Sequence, residues 1–177
     1  MYYQSYPQKH QVPRYNVPPY TQVLPNVFIG SYQSVEMFGN RSPGVSLVVN
    51  CTPDVPPPQW CGEFVRIPVW DNLNPYECKK MQYYLQEYQV LERIHSRVIR
   101  GESVLIHCVA GMQRSCAVLA CYLCKYYGMH MYEAVNFIRS YRPIAFNGGV
   151  NFADTVVQYN PIQNIPFQTN LPVANPV

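Results

Sequence analysis

The sequence predicts an α/β layer fold, because short strand-like runs alternate with helix-like segments along the chain. The first observation is the run SVLIHC at 103–108, which is apolar on both faces, as expected for a central buried strand. The second is a helical repeat of apolar residues over roughly 75–100. The third is a stretch that begins near Ser115 and is apolar nearly all round, which indicates a buried helix.

Three further short runs are strand candidates, at residues 27–31, 45–50 and 63–69. The run at 45–50 reads VSLVVN, is β-branched, and is followed by the turn-rich stretch CTPDVPPPQ, which marks its end. Together with the central run, these segments supply four candidate strands for one sheet.

The clearest helix signal covers roughly residues 75–100. Asn74 is a good N-cap, Pro75 occupies the first helical position, and Glu77 lies three residues after the cap. Gly101 is placed to end the segment. We therefore expect one long helix between the third and the fourth strand candidates.

Three more helices are expected after the central strand. The first begins near Ser115 and stops at Gly128, because glycine commonly follows the C-terminus of a helix. The second, MYEAVNFIRSYR at 131–142, ends before Pro143. The last covers about 151–159.

The 177 residues suit one domain with a tail at each end. Residues 1–21 are rich in Tyr, Pro and Gln, and residues 161–177 place Pro and Asn between single apolar residues. We interpret both as extended or weakly ordered tails on a domain that spans residues 22–160. A partner-binding role stays open, and the aromatic N-terminal arm could mediate a homodimer.

The composition favours a soluble protein without nucleic-acid or membrane partners. The net charge is +3, which is too mild to indicate nucleic-acid binding by itself, and the basic residues are scattered. No apolar run approaches the roughly 18 to 20 residues of a membrane helix, and the N-terminus lacks the apolar stretch of a signal peptide.

The seven cysteines indicate neither a disulfide scaffold nor a zinc site. Their number is odd, and the C-x-x-C pair of Cys121 and Cys124 lies inside an apolar helical pattern. A reducing compartment fits best, and we expect the cytoplasm, with the nucleus or a virion as open alternatives.

The segment HCVAGMQRS at 107–115 joins the central strand to the buried helix. A loop that closes onto a helix N-terminus directs several backbone N–H groups at one point, which makes an anion site strengthened by the helix dipole. Gly111 lets the backbone curl without a side-chain clash. Arg114 can grip two phosphate oxygens in a fork, which a lysine could not do.

The same positive field should lower the pKa of the Cys108 thiol into the range of activated cysteines. A thiolate in line with a bound phosphorus is a nucleophile in place. We expect His107 to hydrogen-bond nearby backbone and fix the loop, and Ser115 to donate to the sulfur and stabilise it as it leaves. The alternative, a small apolar residue at a strand end, does not account for the neighbouring Arg, Gly and helix start.

HCVAGMQRS resembles the His-Cys-x5-Arg-Ser signature of the dual-specificity protein phosphatases, a branch of the protein tyrosine phosphatase superfamily. Four other segments resemble the family in the same order, namely VLPNVFIGS (23–31), VVNCT (48–52), IPVWDN (67–72) and YRPIAFN (141–147). The resemblance covers about residues 22–160. It implies a single-domain fold with a central twisted, mostly parallel sheet of about five strands flanked by helices.

The resemblance also implies a two-step hydrolysis of phosphotyrosine and phosphoserine or phosphothreonine in proteins. Cys108 would form a phosphocysteine, and Asp71 would protonate the leaving oxygen and then deprotonate the hydrolytic water. Asp71 lies in a turn before a capped helix, where a turn or capping role is the alternative. Arg114 and backbone amides supply the charge stabilisation, so no metal or organic cofactor is expected. The predicted phosphate-binding positions are Val109, Ala110, Gly111, Met112, Gln113 and Arg114.

Three features depart from the family pattern. The spacing between Asp71 and Cys108 is several residues longer than usual, which fits an elongated helix at 75–100 or a longer loop before it. Gln113 stands where many members carry Ser, and its side chain is expected to alter the pocket rim or position a water. The third is a lack of positive charge in the loop, which argues against phosphoinositides and RNA 5′-triphosphates as substrates. The uncharged positions are Val109, Ala110 and Met112.

Cys51 is a candidate redox partner of Cys108. It follows the strand that should neighbour the central strand, and an oxidised low-pKa thiol can be trapped by such a neighbour as a reversible disulfide. The alternative is that Cys51 is a buried packing residue.

Three functions stay open on the sequence alone. The intact motif favours an active protein phosphatase of dual-specificity type. A phosphate-binding interaction module without turnover is the second. A phosphatase that acts on RNA 5′ ends or phosphoinositides is the third.

Overall fold

The computed structural model describes residues 17–39, 44–60 and 62–161, which form one sheet with helices on both faces. The strands are β1 (Tyr20–Leu24), β2 (Val27–Gly30), β3 (Leu47–Asn50), β4 (Glu63–Arg66) and β5 (Val104–His107). The helices are α1 (Gln33–Gly39), α2 (Pro75–Glu87), α3 (Val90–Ile99), α4 (Arg114–Tyr127), α5 (Met131–Tyr141) and α6 (Ala153–Val157).

The strands follow the order β1-β2-β5-β3-β4 across the sheet. β2, β5, β3 and β4 run parallel to one another, whereas β1 pairs antiparallel with β2. This arrangement confirms the predicted α/β fold with a mostly parallel sheet of about five strands. The four candidate strands correspond to β2, β3, β4 and β5, and β1 was not predicted.

The central position of β5 explains why its sequence is apolar on both faces. All four of its residues are buried, between β2 on one side and β3 on the other. Because these three strands are parallel, their carboxyl ends meet at one edge, where Gly30, His107 and Asn50 lie side by side. Ligands of open α/β sheets bind outside this edge.

Helix α4 is the buried helix that the sequence predicted directly after the central strand. Every residue from Arg114 to Cys124 is buried, because the helix packs on β5 and is covered by α3, α5 and α6. The helix ends before Gly128, whose φ of 68° is the left-handed conformation that glycine adopts readily. Helices α5 and α6 also lie where predicted, although α6 is shorter than the expected 151–159.

The other face of the sheet carries a smaller aromatic cluster under α1, a helix that was not predicted. The Phe38 ring lies 4.6 Å from the Tyr20 ring and 5.1 Å from the Phe28 ring, centroid to centroid. These contacts bury one face of the short helix against β1 and β2. A seven-residue helix has too few turns to produce a clear apolar repeat in the sequence.

The prediction of one long helix at 75–100 was wrong, because the chain forms α2 and α3 with a break at Gln89. Gln89 has a left-handed φ of 48°. Ile94 follows Leu85 by about two and a half helical turns, so a continuous helix would point these two side chains in opposite directions. Both are buried, and the left-handed residue resets the helical phase so that each helix faces the core.

The predicted N-terminal arm, 1–21, ends within β1, because Tyr20 and Thr21 already pair with β2. The remaining predictions for the arm concern mainly residues 1–16, and those for the C-terminal tail concern 162–177, and both segments lie outside the described residues. Within the described part of the chain, no helix is long and apolar enough to cross a membrane.

The left-handed residue between α2 and α3 gives a stability prediction. We expect Gln89→Gly to raise the free energy of unfolding by about 0.5–1 kcal/mol, because glycine adopts a positive φ without a Cβ clash. The matched change Gln86→Gly, in the last turn of α2, should instead lower it by up to about 1 kcal/mol. Urea denaturation of the three proteins measures both changes, and a destabilised Gln89→Gly protein would contradict the proposed role of the break.

Candidate active site

The candidate site is the loop of residues 108–113, which connects the carboxyl end of β5 to the N-terminus of α4. The backbone N–H of Cys108 donates to Gly30 O at 3.2 Å, so the loop begins in register with β2. On the other side, Cys51 N donates to His107 O at 2.8 Å. Both neighbouring strands therefore fix the position at which Cys108 leaves the sheet.

The Cys108 sulfur is buried and lies among hydrogen-bond donors. Gly111 N donates to the sulfur at 3.3 Å, and the Ser115 hydroxyl lies 3.4 Å from it. Burial by itself raises the pKa of the Cys108 thiol, but the Arg114 charge and the hydrogen bonds outweigh this effect, and the pKa is lowered. The structure thus brings together three of the predicted residues, Cys108, Arg114 and Ser115, around a sulfur that favours the thiolate.

Arg114 occupies the first position of α4 and is only 6% exposed. Its Nη1 donates to Val69 O at 3.1 Å, whereas its buried Nε has no hydrogen-bond partner among the described residues. A buried donor without a partner is costly, and an oxyanion in the loop would satisfy it. The guanidinium is therefore anchored at one nitrogen and retains donor capacity for a ligand.

The carbonyl groups of residues 109–112 each accept a hydrogen bond from outside the loop. Tyr32 N donates to Val109 O at 3.3 Å, and Phe146 N donates to Met112 O at 2.8 Å. Between them, Arg142 donates from Nη2 to Ala110 O at 3.3 Å and from Nε to Gly111 O at 2.7 Å. In a trans peptide the N–H points opposite to the carbonyl of the same unit. Anchoring the carbonyls outward therefore turns the following N–H groups toward the Cys108 side of the loop.

Arg142 is a residue of this site that the sequence reasoning missed. Its side chain is only 1% exposed and donates to two loop carbonyls as described, while its Nη1 donates to Pro18 O and Thr21 Oγ1, both at 3.0 Å. The segment YRPIAFN (141–147) resembles the family, but Pro18 and Gly111 lie 124 and 31 residues earlier in the sequence, so no local pattern predicts the contacts of Arg142.

Gly111 is required by close backbone contact as well as by its φ of 66°. A Cβ at this position would lie 2.6 Å from the carbonyl carbon of Gly30 and 2.8 Å from Arg142 Nη2. Neither the strand backbone nor the buried guanidinium can move aside easily. The curl that the sequence predicted at Gly111 therefore has a steric basis in the packing of the loop on β2.

Asp71, the predicted general acid, is exposed and lies in the turn before α2. Its Oδ1 accepts a hydrogen bond from Asn151 Nδ2 at 2.7 Å. The bond between Arg114 and Val69 holds the segment that leads into this turn against the loop. The chain thus brings the turn of Asp71 to the site, on the side of Arg114.

The helix that follows Asp71 has the predicted N-cap at Asn74, but Glu77 does not have the predicted capping role. Asn74 Oδ1 accepts from Tyr76 N at 3.0 Å, which is the expected N-cap bond. Glu77 does not complete a capping box, because its Oε2 instead accepts from Trp70 N at 2.9 Å. Glu77 therefore fastens the residue before Asp71 to α2.

The Gln113 side chain lies inside the protein and not at the pocket rim that the sequence suggested. It is 2% exposed, and its Nε2 donates to Asn147 O at 3.1 Å and to Gly149 O at 2.8 Å. Its Oε1 accepts from Asn151 N at 3.2 Å. All three bonds connect the loop to the segment between α5 and α6.

His107 and Cys51 are both fully buried beside the loop. Neither ring nitrogen of His107 has a hydrogen-bond partner of normal geometry in the described chain, but the ring interacts with the backbone of Cys108, the first residue of the loop. Burial lowers the pKa of His107 to about 4, which keeps the ring neutral. Burial and the neighbouring Cys108 raise the pKa of the Cys51 thiol, so Cys51 lies close to the candidate nucleophile but is not itself activated.

A mostly parallel sheet with a Cys-x5-Arg loop between its central strand and a buried helix defines the class of cysteine-based phosphatase domains. The match of this chain to known proteins is more specific. The chain belongs to the dual specificity phosphatase family, because the family described as "Dual specificity phosphatase, catalytic domain" matches residues 27–162. This match confirms the family resemblance that the sequence motifs indicated.

Curated relatives agree with this membership. Dual specificity protein phosphatase 8 of Mus musculus is 29% identical over 144 residues, which cover 78% of this chain and 20% of that protein. Putative tyrosine phosphatase 123R of Invertebrate iridescent virus 6 is 27% identical over 126 residues, which cover 71% of this chain and 82% of that protein. The aligned region spans about a fifth of the length of the mouse relative.

Solved structures share the fold over most of the chain. The crystal structure of human DUSP28 has a TM-score of 0.69 and 26% identity, and the match covers 81% of this chain and 94% of that one. A mouse putative dual specificity phosphatase, crystallised in complex with zinc tungstate, has a TM-score of 0.65 and 25% identity, with 88% and 92% covered. The described residues therefore share most of the fold of these solved domains.

The environment of the sulfur gives a prediction for thiol reactivity. We expect the rate of Cys108 alkylation by iodoacetamide to rise with pH and level off at a midpoint below 9.0, the ordinary value for a thiol. Ser115→Ala removes a hydrogen bond to the sulfur and should shift the midpoint upward. The control Ser140→Ala, on the exposed surface of α5, should leave it unchanged. Mass spectrometry of the Cys108 peptide follows the reaction, and a wild-type midpoint at or above 9.0 would refute the assignment.

Proposed function

We propose that this chain is a protein phosphatase that hydrolyses phosphotyrosine and phosphoserine or phosphothreonine through a phosphocysteine intermediate. The observation that carries this proposal is the pairing of the buried Cys108 sulfur, whose pKa is lowered, with the buried Arg114, whose Nε lacks a partner in the described chain. A phosphoryl group between them would meet a nucleophile on one side and charge-assisted donors around its oxygens.

In the first step, the Cys108 thiolate attacks the phosphorus of the bound monoester. The bond between phosphorus and the ester oxygen breaks as the S–P bond forms, and the leaving oxygen takes a proton from Asp71. The backbone N–H groups of the loop and the Arg114 guanidinium stabilise the phosphoryl oxygens, a role for which no metal is needed. We assign the phosphate contacts to the N–H groups of residues 109–114.

In the second step, water attacks the phosphorus of the phosphocysteine, and Asp71 accepts a proton from that water. The S–P bond breaks, inorganic phosphate leaves, and the electron pair returns to the Cys108 sulfur. The Ser115 hydroxyl, 3.4 Å from the sulfur, stabilises the regenerated thiolate by a hydrogen bond. Asp71 thus ends the cycle protonated, ready for the next ester.

The substrate class follows from the charge of the loop. The side chains of Val109, Ala110 and Met112 are half-buried and uncharged, so the loop supplies one guanidinium and backbone amides to a single phosphoryl group. Multiply charged phosphoinositides or RNA 5′-triphosphates would bring further negative charge that these positions do not neutralise. A phosphorylated side chain of a protein carries one such group and fits the available donors.

The proposal extends to the cellular setting. The proposed reaction needs Cys108 in its reduced form, and the six described cysteines are unpaired, which supports a reducing compartment such as the cytoplasm. The proposed homodimer through the N-terminal arm rests on residues 1–16, which lie outside the described residues.

Turnover by variants tests the proposed chemistry. We expect Cys108→Ser to lower kcat for phosphotyrosine peptides by about 10⁴-fold or more, because the weaker nucleophile is no longer ionised. Arg114→Lys keeps the positive charge but loses the fork geometry, and should cost roughly 10²- to 10³-fold. The control Lys79→Ala, on the exposed face of α2, should leave turnover unchanged.

A panel of phosphotyrosine and phosphoserine peptides, RNA 5′-triphosphates and phosphoinositides separates the candidate functions. Faster phosphate release from RNA or lipid than from peptides would replace the protein-phosphatase assignment. Wild-type protein that binds phosphopeptides without releasing phosphate would identify an interaction module instead.

The position of Cys51 supports a redox role that can be measured. Hydrogen peroxide would oxidise the Cys108 thiolate to a sulfenic acid, and the Cys51 sulfur would attack it, form a disulfide and release water. We expect peptide mapping to find the Cys51–Cys108 link and dithiothreitol to restore activity. Cys51→Ser should recover less activity, whereas the control Cys124→Ser should behave as wild type. Failure to detect the linked peptide would leave Cys51 with a packing role.

A further inference from the structure

A chain of hydrogen bonds connects the anion-binding loop to the proposed general acid. Gln113, the last residue of the loop, accepts from the backbone N of Asn151 at 3.2 Å, and the Asn151 side chain donates to Asp71 Oδ1 at 2.7 Å. Asp71 and Asn151 are 80 residues apart in sequence, and Gln113 and Asn151 are 38 apart. These hydrogen bonds therefore join three separate segments of the fold.

The Gln113 end of this series of hydrogen bonds is rigid. Its amide is buried, and its nitrogen donates to two carbonyls while its oxygen accepts the bond from Asn151. Gly148 and Gly149 have φ values of 84° and 115°, a conformation that permits the tight turn between those carbonyls. Because Gln113 precedes Arg114 directly, Asn151 is fixed with respect to the phosphate-binding groups.

The Asp71 end is exposed, and an exposed carboxylate ordinarily rotates among several rotamers. The bond from Asn151 restricts this rotation. It also selects one oxygen, because an amide N–H can donate to Oδ1 only when that oxygen does not carry the carboxyl proton. The acidic proton is therefore directed to Oδ2, the oxygen left free to reach the ester.

We propose that Asn151 and Gln113 are positioning residues, which hold Asp71 in the rotamer and protonation geometry needed for proton donation to the leaving group. This inference rests on the proposed phosphatase function and on Asp71 as its acid. Asn151 acts on Asp71 directly, and Gln113 acts through Asn151. Neither side chain is assigned a contact with the substrate.

The dependence of rate on the leaving group tests this role. The ester oxygen of 4-nitrophenyl phosphate departs as a stable anion and needs little protonation, whereas the tyrosine oxygen of a phosphopeptide needs an acid. We expect Asn151→Ala to lower kcat/KM for the phosphotyrosine peptide by about 10- to 100-fold, part of the full effect of a general acid. For 4-nitrophenyl phosphate the loss should stay within about threefold.

Gln113→Met provides the second variant, because it conserves volume and removes all three hydrogen bonds. We expect the same selective loss on the phosphotyrosine peptide, smaller than that of Asn151→Ala. The matched control is Gln82→Met, which removes a comparable bond to Asp154 O on the surface between α2 and α6. That control should not change the ratio of the two kcat/KM values.

The double variant Asp71→Asn/Asn151→Ala distinguishes positioning from a separate contribution. Once the acid is absent, removing Asn151 should cause no further loss on either substrate. Equal losses on both substrates, or losses that add to that of Asp71→Asn, would overturn the inference while leaving the phosphatase function in place. A wild-type protein inactive on both substrates would overturn both. Should Asn151→Ala fail to fold, Asn151→Ser, which keeps a shorter polar group, is measured in its place.

Discussion

The anchoring of the four loop carbonyls is the interaction on which the rest of the site depends. A short loop of successive peptide units has no regular ladder to fix its orientation, so each carbonyl needs a partner elsewhere. Arg142 supplies two of these partners from the end of α5, and backbone N–H groups supply the others. Only with the carbonyls held outward do the amides converge on one point, where the Cys108 thiolate and a phosphoryl group can both be stabilised.

The sequence predicted the parts of this arrangement that are local. The strand, the Cys-x5-Arg loop and the buried helix are consecutive, so their composition and spacing identify them, and the family match agrees. The residues that the sequence did not identify act over long separations. Arg142 binds the loop and the first strand, and the direction of the Gln113 side chain depends on where the turn after α5 lies. The roles assigned to Cys108, Arg114, Asp71 and Ser115 in catalysis stay predictions.

The fold was predicted where the hydrophobic pattern is strong and missed where it is short or changes phase. β5 and most of α4 are buried, and the apolar residues on all faces of both segments indicate this in the sequence. β1 and α1 are short and pack on the smaller aromatic cluster, so their patterns are weak. The break at Gln89 is invisible to a search for helix formers, because both flanking segments are good helices. It becomes apparent only when the directions of Leu85 and Ile94 are compared.

The contact between Gly111 and Gly30 restricts how this loop can diverge. A Cβ on Gly111 would lie 2.6 Å from the carbonyl carbon of Gly30, so position 111 does not tolerate a side chain without a shift of β2 against the loop. Variation is left to Val109, Ala110 and Met112, whose half-buried side chains border the anion site. A change of substrate can therefore act through these three positions while Gly111 stays fixed. Charged side chains can be introduced at the three positions without a change in the backbone of the loop.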